Sequence, residues 1–342
     1  MKQIVLSLCF LTLISCQMNT KNSSDNKEKF NDPGIGSFEK SDEAFNTIVS
    51  ENATIEILAE GYTWSEGPVW VKEHNMLLFS DVPENTIYKW TAEKGAEVYL
   101  TPSGYTGEGD YSREPGSNGL TLTKDGKLVL CQHGDRKVAL MDAPLDTPEA
   151  KFITLSDNYE GKKLNSPNDV AVRSNGDLFF TDPPYGLPKQ ADDPTKEIPF
   201  NGVYKIANGT TTLIVDSLTR PNGIAFLKGE KTLLVANSDS NKAAWYAFDL
   251  DDQDKVTNAR IFYDATSNSK AGEKGLPDGF RVDRNGNIFA TGPGGIWIFN
   301  NEGKVLGKIK IKEATSNCAL ADDDKTLYIT ADMYLLRVKL RE

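Results

Sequence analysis

Residues 166–172 read S-P-N-D-V-A-V and residues 220–226 read R-P-N-G-I-A-F. Both place a polar residue ahead of an alternating apolar run, and the phrase recurs along the chain. S-E-G-P-V-W stands at 65–70, S-N-G-L-T-L at 117–122, P-D-G-F-R-V at 277–282 and S-N-C-A-L-A at 316–321. The polar members are Glu66, Asn118, Asn168, Asn222, Asp278 and Asn317, separated by 52, 50, 54, 56 and 39 residues. A period of this length marks a repeat architecture in which each unit is one supersecondary element.

Every copy continues as a short alternating strand, a turn and a second strand rich in β-branched and aromatic residues. The turns K-D-G-K at 124–127, S-N-G-D at 174–177 and R-N-G-N at 284–287 carry the Asp-Gly and Asn-Gly pairs that two-residue hairpins favour, because both turn positions need positive φ. Runs such as 203–206 and 295–299 supply further strands and bring each unit to four, and beyond the first residues no helical period of comparable length is visible. The pattern predicts an all-β fold, a six-bladed β-propeller with four antiparallel strands per blade. The last copy has room for only three strands, so the strand-like segment 53–59 is expected to close the final blade and cover its edge. The propeller is thereby placed at 53–342.

Ahead of it, residues 1–16 combine one positive residue, an apolar run and a terminal small residue before cysteine, the pattern of a secretory signal. Leu13-Ile14-Ser15-Cys16 resembles a bacterial lipobox, which implies a lipidated Cys16 and export to the bacterial cell envelope as a lipoprotein. Residues 17–52 read as a polar tether. Membrane contact is then expected through the lipid anchor only. A formal net charge of −11 without a basic stripe excludes a nucleic-acid partner, since such binding rests on phosphate neutralisation. A monomer is expected. Cys131 and Cys318 lie in apolar, strand-like surroundings and read as buried free thiols.

The first strand of a propeller blade lines the central channel, so six polar residues can converge on the axis. Glu66 and Asp278, with the carboxamide oxygens of the Asn residues, would form a hard, all-oxygen cage of formal charge −2 that suits a divalent cation, calcium best. Zinc and copper would ask for His or Cys, which the ring lacks. Taken singly, each Asn or Asp is equally a turn former; their sixfold alignment points to a site. The long irregular stretches 101–117 and 183–200 fall on the same face and read as cleft walls, with Tyr105, Tyr111, Arg113 and Tyr185 as candidate contacts. His133 follows the second strand of blade two on that face and is a candidate for substrate contact or proton transfer. His74, in a far-side hairpin, reads as a solvated turn residue.

The phrases S-E-G-P-V-W, S-P-N-D, P-N-G-I-A-F and L-P-D-G-F resemble those of the gluconolactonase/regucalcin (senescence marker protein) family of six-bladed propellers, and more distantly diisopropylfluorophosphatase and paraoxonase. The resemblance implies that Glu66, Asn168, Asn222 and Asp278 hold a catalytic Ca2+ or other divalent cation. By the same resemblance Asn118 faces the substrate or a metal-bound water, while Asn317 is the weakest member of the set. Two departures stand out: Ser166 occupies a place where the animal branch has Arg, and the paraoxonase histidine pair is missing. The expectation is a calcium-dependent hydrolase opening a small sugar-type lactone, with Asp278 as the leading base and His133 as its rival. Asn118, His133, Tyr185 and Arg113 are the expected substrate contacts. Two other readings stay open: an ester or phosphotriester hydrolase on the same site, and a non-catalytic ligand-binding propeller.

Overall fold

The structure, a computed structural model, describes residues 34–341. The signal segment with Cys16, and the tether up to residue 33, lie outside the described residues. Among the described residues six antiparallel sheets of four or five strands stand around one axis, each opening with one of the repeated phrases at its innermost strand, and a two-stranded ribbon pairs Asn158 and Tyr159 with Lys163 and Lys162. Blade one runs through Ser65–Val71, Met76–Asp81, Thr86–Thr91 and Gly95–Leu100. The other inner strands are Ser117–Leu122, Val170–Val172, Pro221–Phe226, Phe280–Val282 and Thr315–Ala321. The expected closure is present: Ile55–Glu60 pairs antiparallel with Tyr334–Lys339, with Ile55 opposite Val338.

The second strands explain why the sequence runs L-V-L-C and L-F-F-T rather than alternating apolar with polar. Each blade is packed on both faces, so both sets of alternate side chains are buried. Leu77 and Phe79 face blade six and pack with Tyr328 and Leu335. Leu78, between them, faces blade two and packs with Leu120 and Leu130. The same division holds in blade three, where Phe180 packs with Cys131 and Val138 of blade two and Phe179 with Ile224 and Val235 of blade four. Six such clusters, one per junction of neighbouring blades, make up the core among the described residues. Cys131 and Cys318 are buried and unbridged within it.

The start of the fold needs correcting. The segment read as tether up to residue 52 is structured from residue 34 onward: Gly36–Lys40 adds a fifth strand to blade five, Gly36 opposite Ile311 and Lys40 opposite Gly307. A 3-10 turn, Glu43–Thr47, follows, its first turn capped by Asp42, which accepts from the Ala44 N–H at 3.0 Å. Ile35, Phe45, Ile48 and Val49 are buried together with Ile309, Leu336 and Leu340. Four apolar side chains dispersed among polar ones suffice here, because they close the outer end of a junction that blades five and six already provide.

Candidate active site

The repeated phrase brings its polar residues together through backbone bonds between neighbouring blades. The Gly119 N–H donates to the Asn168 carbonyl at 2.7 Å, and the Gly279 N–H to that of Ser316 at 2.7 Å. Hydroxyls near the ends of the second strands add side-chain ties: Ser80 donates to the Asn118 carbonyl, Thr181 to the Asn222 carbonyl and Thr291 to the Ser316 carbonyl. The glycines after the polar residues make this spacing attainable. A Cβ on Gly223 would stand 2.2 Å from the carbonyl oxygen of Asp278.

Above the ring lies a cleft of about 360 Å³ whose floor is Glu66, Asn118, Asn168, Asn222 and Asp278. Three oxygens in it are buried without a hydrogen-bond partner, namely Asn118 Oδ1, Asn168 Oδ1 and Asp278 Oδ1. Asn222 donates through Nδ2 to Ser238 Oγ at 3.1 Å, and Ser238 in turn donates to the Pro277 carbonyl, so the oxygen end of that amide is left for the cleft. Glu66 Oε2 accepts from the Gly67 N–H at 2.6 Å and from Asn317 Nδ2 at 3.2 Å. Asn317 also accepts from the Cys318 N–H at 2.8 Å, so it is spent on holding Glu66 and lies outside the cleft lining.

Burial pushes the Glu66 carboxyl well above the usual range, the nearby Asp169 adding to the shift and the Gly67 N–H opposing it. Asp278 is raised in the same direction, by burial and by repulsion from Glu66 and Asp169. Asp169, the fourth letter of S-P-N-D, is fully buried with an unpartnered Oδ2, and the Arg281 guanidinium stands 3.8 Å from it. Clustered carboxylates and lone oxygens are costly in a dry interior unless a cation joins them. Among the described residues no three His, Cys, Asp or Glu side chains gather as a metal cluster. An ion here would therefore be held by two carboxylates and carboxamides, a donor set that fits calcium and not zinc.

The walls differ in part from those the sequence suggests. Tyr185 lines the cleft, with the Arg220 guanidinium 5.6 Å from its ring centroid. Arg113 is exposed and not in the lining; its neighbour Glu114 is. Tyr105 and Tyr111 stack on each other with ring centroids 4.9 Å apart, and neither lines the cleft. His133 is on the expected side yet fully buried behind the wall, so it does not reach the cleft as a contact or as a rival base. Trp64, Glu114, Arg220 and Ser238 escaped the sequence reading; Arg220 had a readable signal, two places before Asn222 in R-P-N-G. His74 sits in a far-side 3-10 turn and is exposed. A second cleft of about 400 Å³, lined by Val172, Phe226 and Lys228, opens at the opposite ends of the inner strands and contains none of the ring residues.

Asp182 ties the start of blade three to its second strand, accepting from the Asn165 N–H at 2.7 Å and the Ser166 N–H at 2.8 Å. Burial raises its pKa to about 7, against the pull of those donors and of Arg136 and Lys196. Because the folded protein then binds a proton the unfolded chain has released, this group's contribution to stability is full below about pH 4 and is lost as pH rises through about 7. Asp182→Asn, which mimics the protonated form, is expected to remove that slope. Urea titrations of both proteins between pH 4 and 8 check it; parallel profiles would contradict the assignment.

Fold and cleft together define a six-bladed propeller with an axial, oxygen-lined site at one mouth. The profile of the SMP-30/Gluconolactonase/LRE-like region family matches residues 64–332, and the chain belongs to that family. It is 38% identical over 322 residues to a gluconolactonase of Zymomonas mobilis, covering 92% of this chain and 89% of that one. The solved structure of a Xanthomonas campestris gluconolactonase superposes with a TM-score of 0.75 at 28% identity, covering 90% of this chain and 96% of the other. A regucalcin of Xenopus laevis is 23% identical over 287 residues, 80% of this chain and 85% of its own length.

Proposed function

We propose that the chain is a calcium-dependent hydrolase that opens a sugar-type lactone by attack of water on the carbonyl. The observation that carries the reading is the set of buried, unpartnered oxygens of Asn118, Asn168 and Asp278 beside Glu66 on the cleft floor. The similarity to gluconolactonases supports the substrate class. Glu66, Asn168, Asn222 and Asp278 would hold the cation, with Asn118 turned to the substrate or to water. Bound there, the cation supplies Lewis-acid polarisation of the carbonyl and charge for the oxyanion.

The protein's own groups do the rest. Asp278 Oδ1 has no hydrogen-bond partner, and the carboxylate lines the floor, so it can orient a water and take its proton. Asn317 and the Gly67 N–H keep Glu66 in place. Ser238 fixes the orientation of Asn222. Arg220 and Tyr185 offer donors for sugar hydroxyls on one wall, and Trp64 an apolar face on another. We further read Cys16 as the lipid attachment point that ties the propeller to the cell envelope, a reading supported by L-I-S-C alone.

Initial rates on a panel of sugar lactones, aryl esters and phosphotriesters, with and without a calcium chelator, test the reading. Lactone opening should dominate, vanish on chelation and return with calcium. Preference for a phosphotriester would move the assignment within the same site. A fall in melting temperature on chelation with no substrate turned over would instead mean a ligand-binding propeller.

A further inference from the structure

Ring opening leaves an alkoxide that must gain a proton, and a second acid in the cleft would let that proton arrive while Asp278 still holds the one taken from water. The remaining polar groups of the cleft sort readily. Arg220 offers hydrogen-bond donors to the cleft, and burial raises the Tyr185 phenol above its ordinary value. Glu114 remains, a carboxyl that lines the cleft with 31% of its side chain exposed.

Behind Glu114 stands His133. Its Nδ1 lies 3.9 Å from Glu114 Oε2, its side chain is fully buried, and neither ring nitrogen has a hydrogen-bond partner. The backbone holds the two residues in register: the His133 N–H donates to the Gly116 carbonyl at 3.1 Å and the Gly134 N–H to that of Pro115 at 3.1 Å. On the other side the 183–200 loop closes in, and a Cβ on Gly186 would stand 2.5 Å from the His133 Cβ. A histidine whose ring lies against the Glu114 backbone and side chain, locked behind a cleft-facing carboxyl, is placed to donate to that carboxyl after it loses a proton. The 3.9 Å gap is of the kind that tightens when substrate fills a site.

We propose that Glu114, backed by His133, is the acid that protonates the oxygen leaving the lactone carbonyl. The inference rests on the lactone-hydrolase reading. In the step, a bond forms between the water oxygen and the carbonyl carbon, and the water's proton goes to Asp278. The bond from that carbon to the ring oxygen breaks, and the Glu114 proton goes to the departing oxygen. Asp278 then returns a proton to solvent and Glu114 regains one, so that lactone and water give one hydroxy acid. Burial supports the assignment by raising Glu114 to about 7 against the pull of Arg113, and by holding His133 neutral, its pKa lowered to about 4. Glu114 is the catalytic residue and His133 a positioning residue.

The test compares an aliphatic δ-lactone with dihydrocoumarin, whose leaving group is a phenolate that needs little help from an acid. Glu114→Gln should lower kcat on the aliphatic lactone by ~10²–10³ and on dihydrocoumarin by less than about 10-fold. The alkaline limb of kcat/KM, set by loss of the Glu114 proton, should vanish with it. His133→Asn should keep the same selectivity and move that limb. Glu114→Ala assayed with added acetic acid should regain aliphatic turnover alone, which guards against a folding artefact in the first variant. An equal loss on both lactones, or no loss on either, overturns the proposal. Wild-type protein that opens neither lactone would defeat the hydrolase reading instead.

Discussion

Asp278→Asn is expected to cut lactone turnover by ~10²–10⁴ while leaving the melting temperature of chelated protein unchanged or raised. The two effects part company because the carboxylate, as the proposed base, serves the chemistry, while burial beside like charges makes it unfavourable for folding. Asp278 sits beside Glu66 and Asp169, and each raises its pKa through repulsion on top of burial. Asn has the same shape, keeps an oxygen for the ring and carries no charge, so it relieves repulsion while losing the proton acceptor. Steady-state kinetics and calorimetry on one preparation check both halves. Full activity in the variant would remove Asp278 from the role of base, and a large loss of stability would show that its charge is offset in a way the burial and repulsion do not describe.

Much of this site can be read in the chain because one phrase does two jobs. Its apolar half must alternate to build an inner strand, and its polar half must then fall at the same height in every blade. Glu66, Asn118, Asn168, Asn222 and Asp278 accordingly meet on one floor. Asn317 obeys the same spacing and still serves differently, because its amide is taken by Glu66 and the Cys318 N–H. Spacing gives height in the blade but not hydrogen-bond partners. Loops carry even less: 101–117 has no period, so nothing in it distinguishes exposed Arg113 from cleft-lining Glu114. The direction of the chain puts His133 on the correct face but says nothing of its depth. Gly36–Lys40 stayed hidden for a third reason, since a strand added at a blade's outer edge pairs through its backbone and needs little side-chain pattern.

The glycine that follows the polar residue leads to the second large effect. Gly67 has φ of 53°, and a Cβ there would lie 2.0 Å from the backbone oxygen of Asn118. No rotamer change relieves a contact with a neighbouring backbone, so Gly67→Ala must push the inner strands of blades one and two apart. The cost combines left-handed backbone strain of about 1–2 kcal/mol with overpacking of about 1–3 kcal/mol. The expected loss is therefore roughly 2–5 kcal/mol. The same shift moves Glu66, whose Oε2 accepts from the Gly67 N–H, and the Asn118 peptide, so under the proposed function calcium affinity measured by titration calorimetry should fall together with stability. Gly209→Ala separates the two contributions: Gly209 has φ of 72° with nothing within 4 Å of an added Cβ, so it bears the backbone strain alone. A Gly67→Ala protein that melts no lower than Gly209→Ala would mean that the blades can part at the axis without cost. The ring glycines would then be turn residues only, not the condition for bringing the carboxylates and carboxamides together.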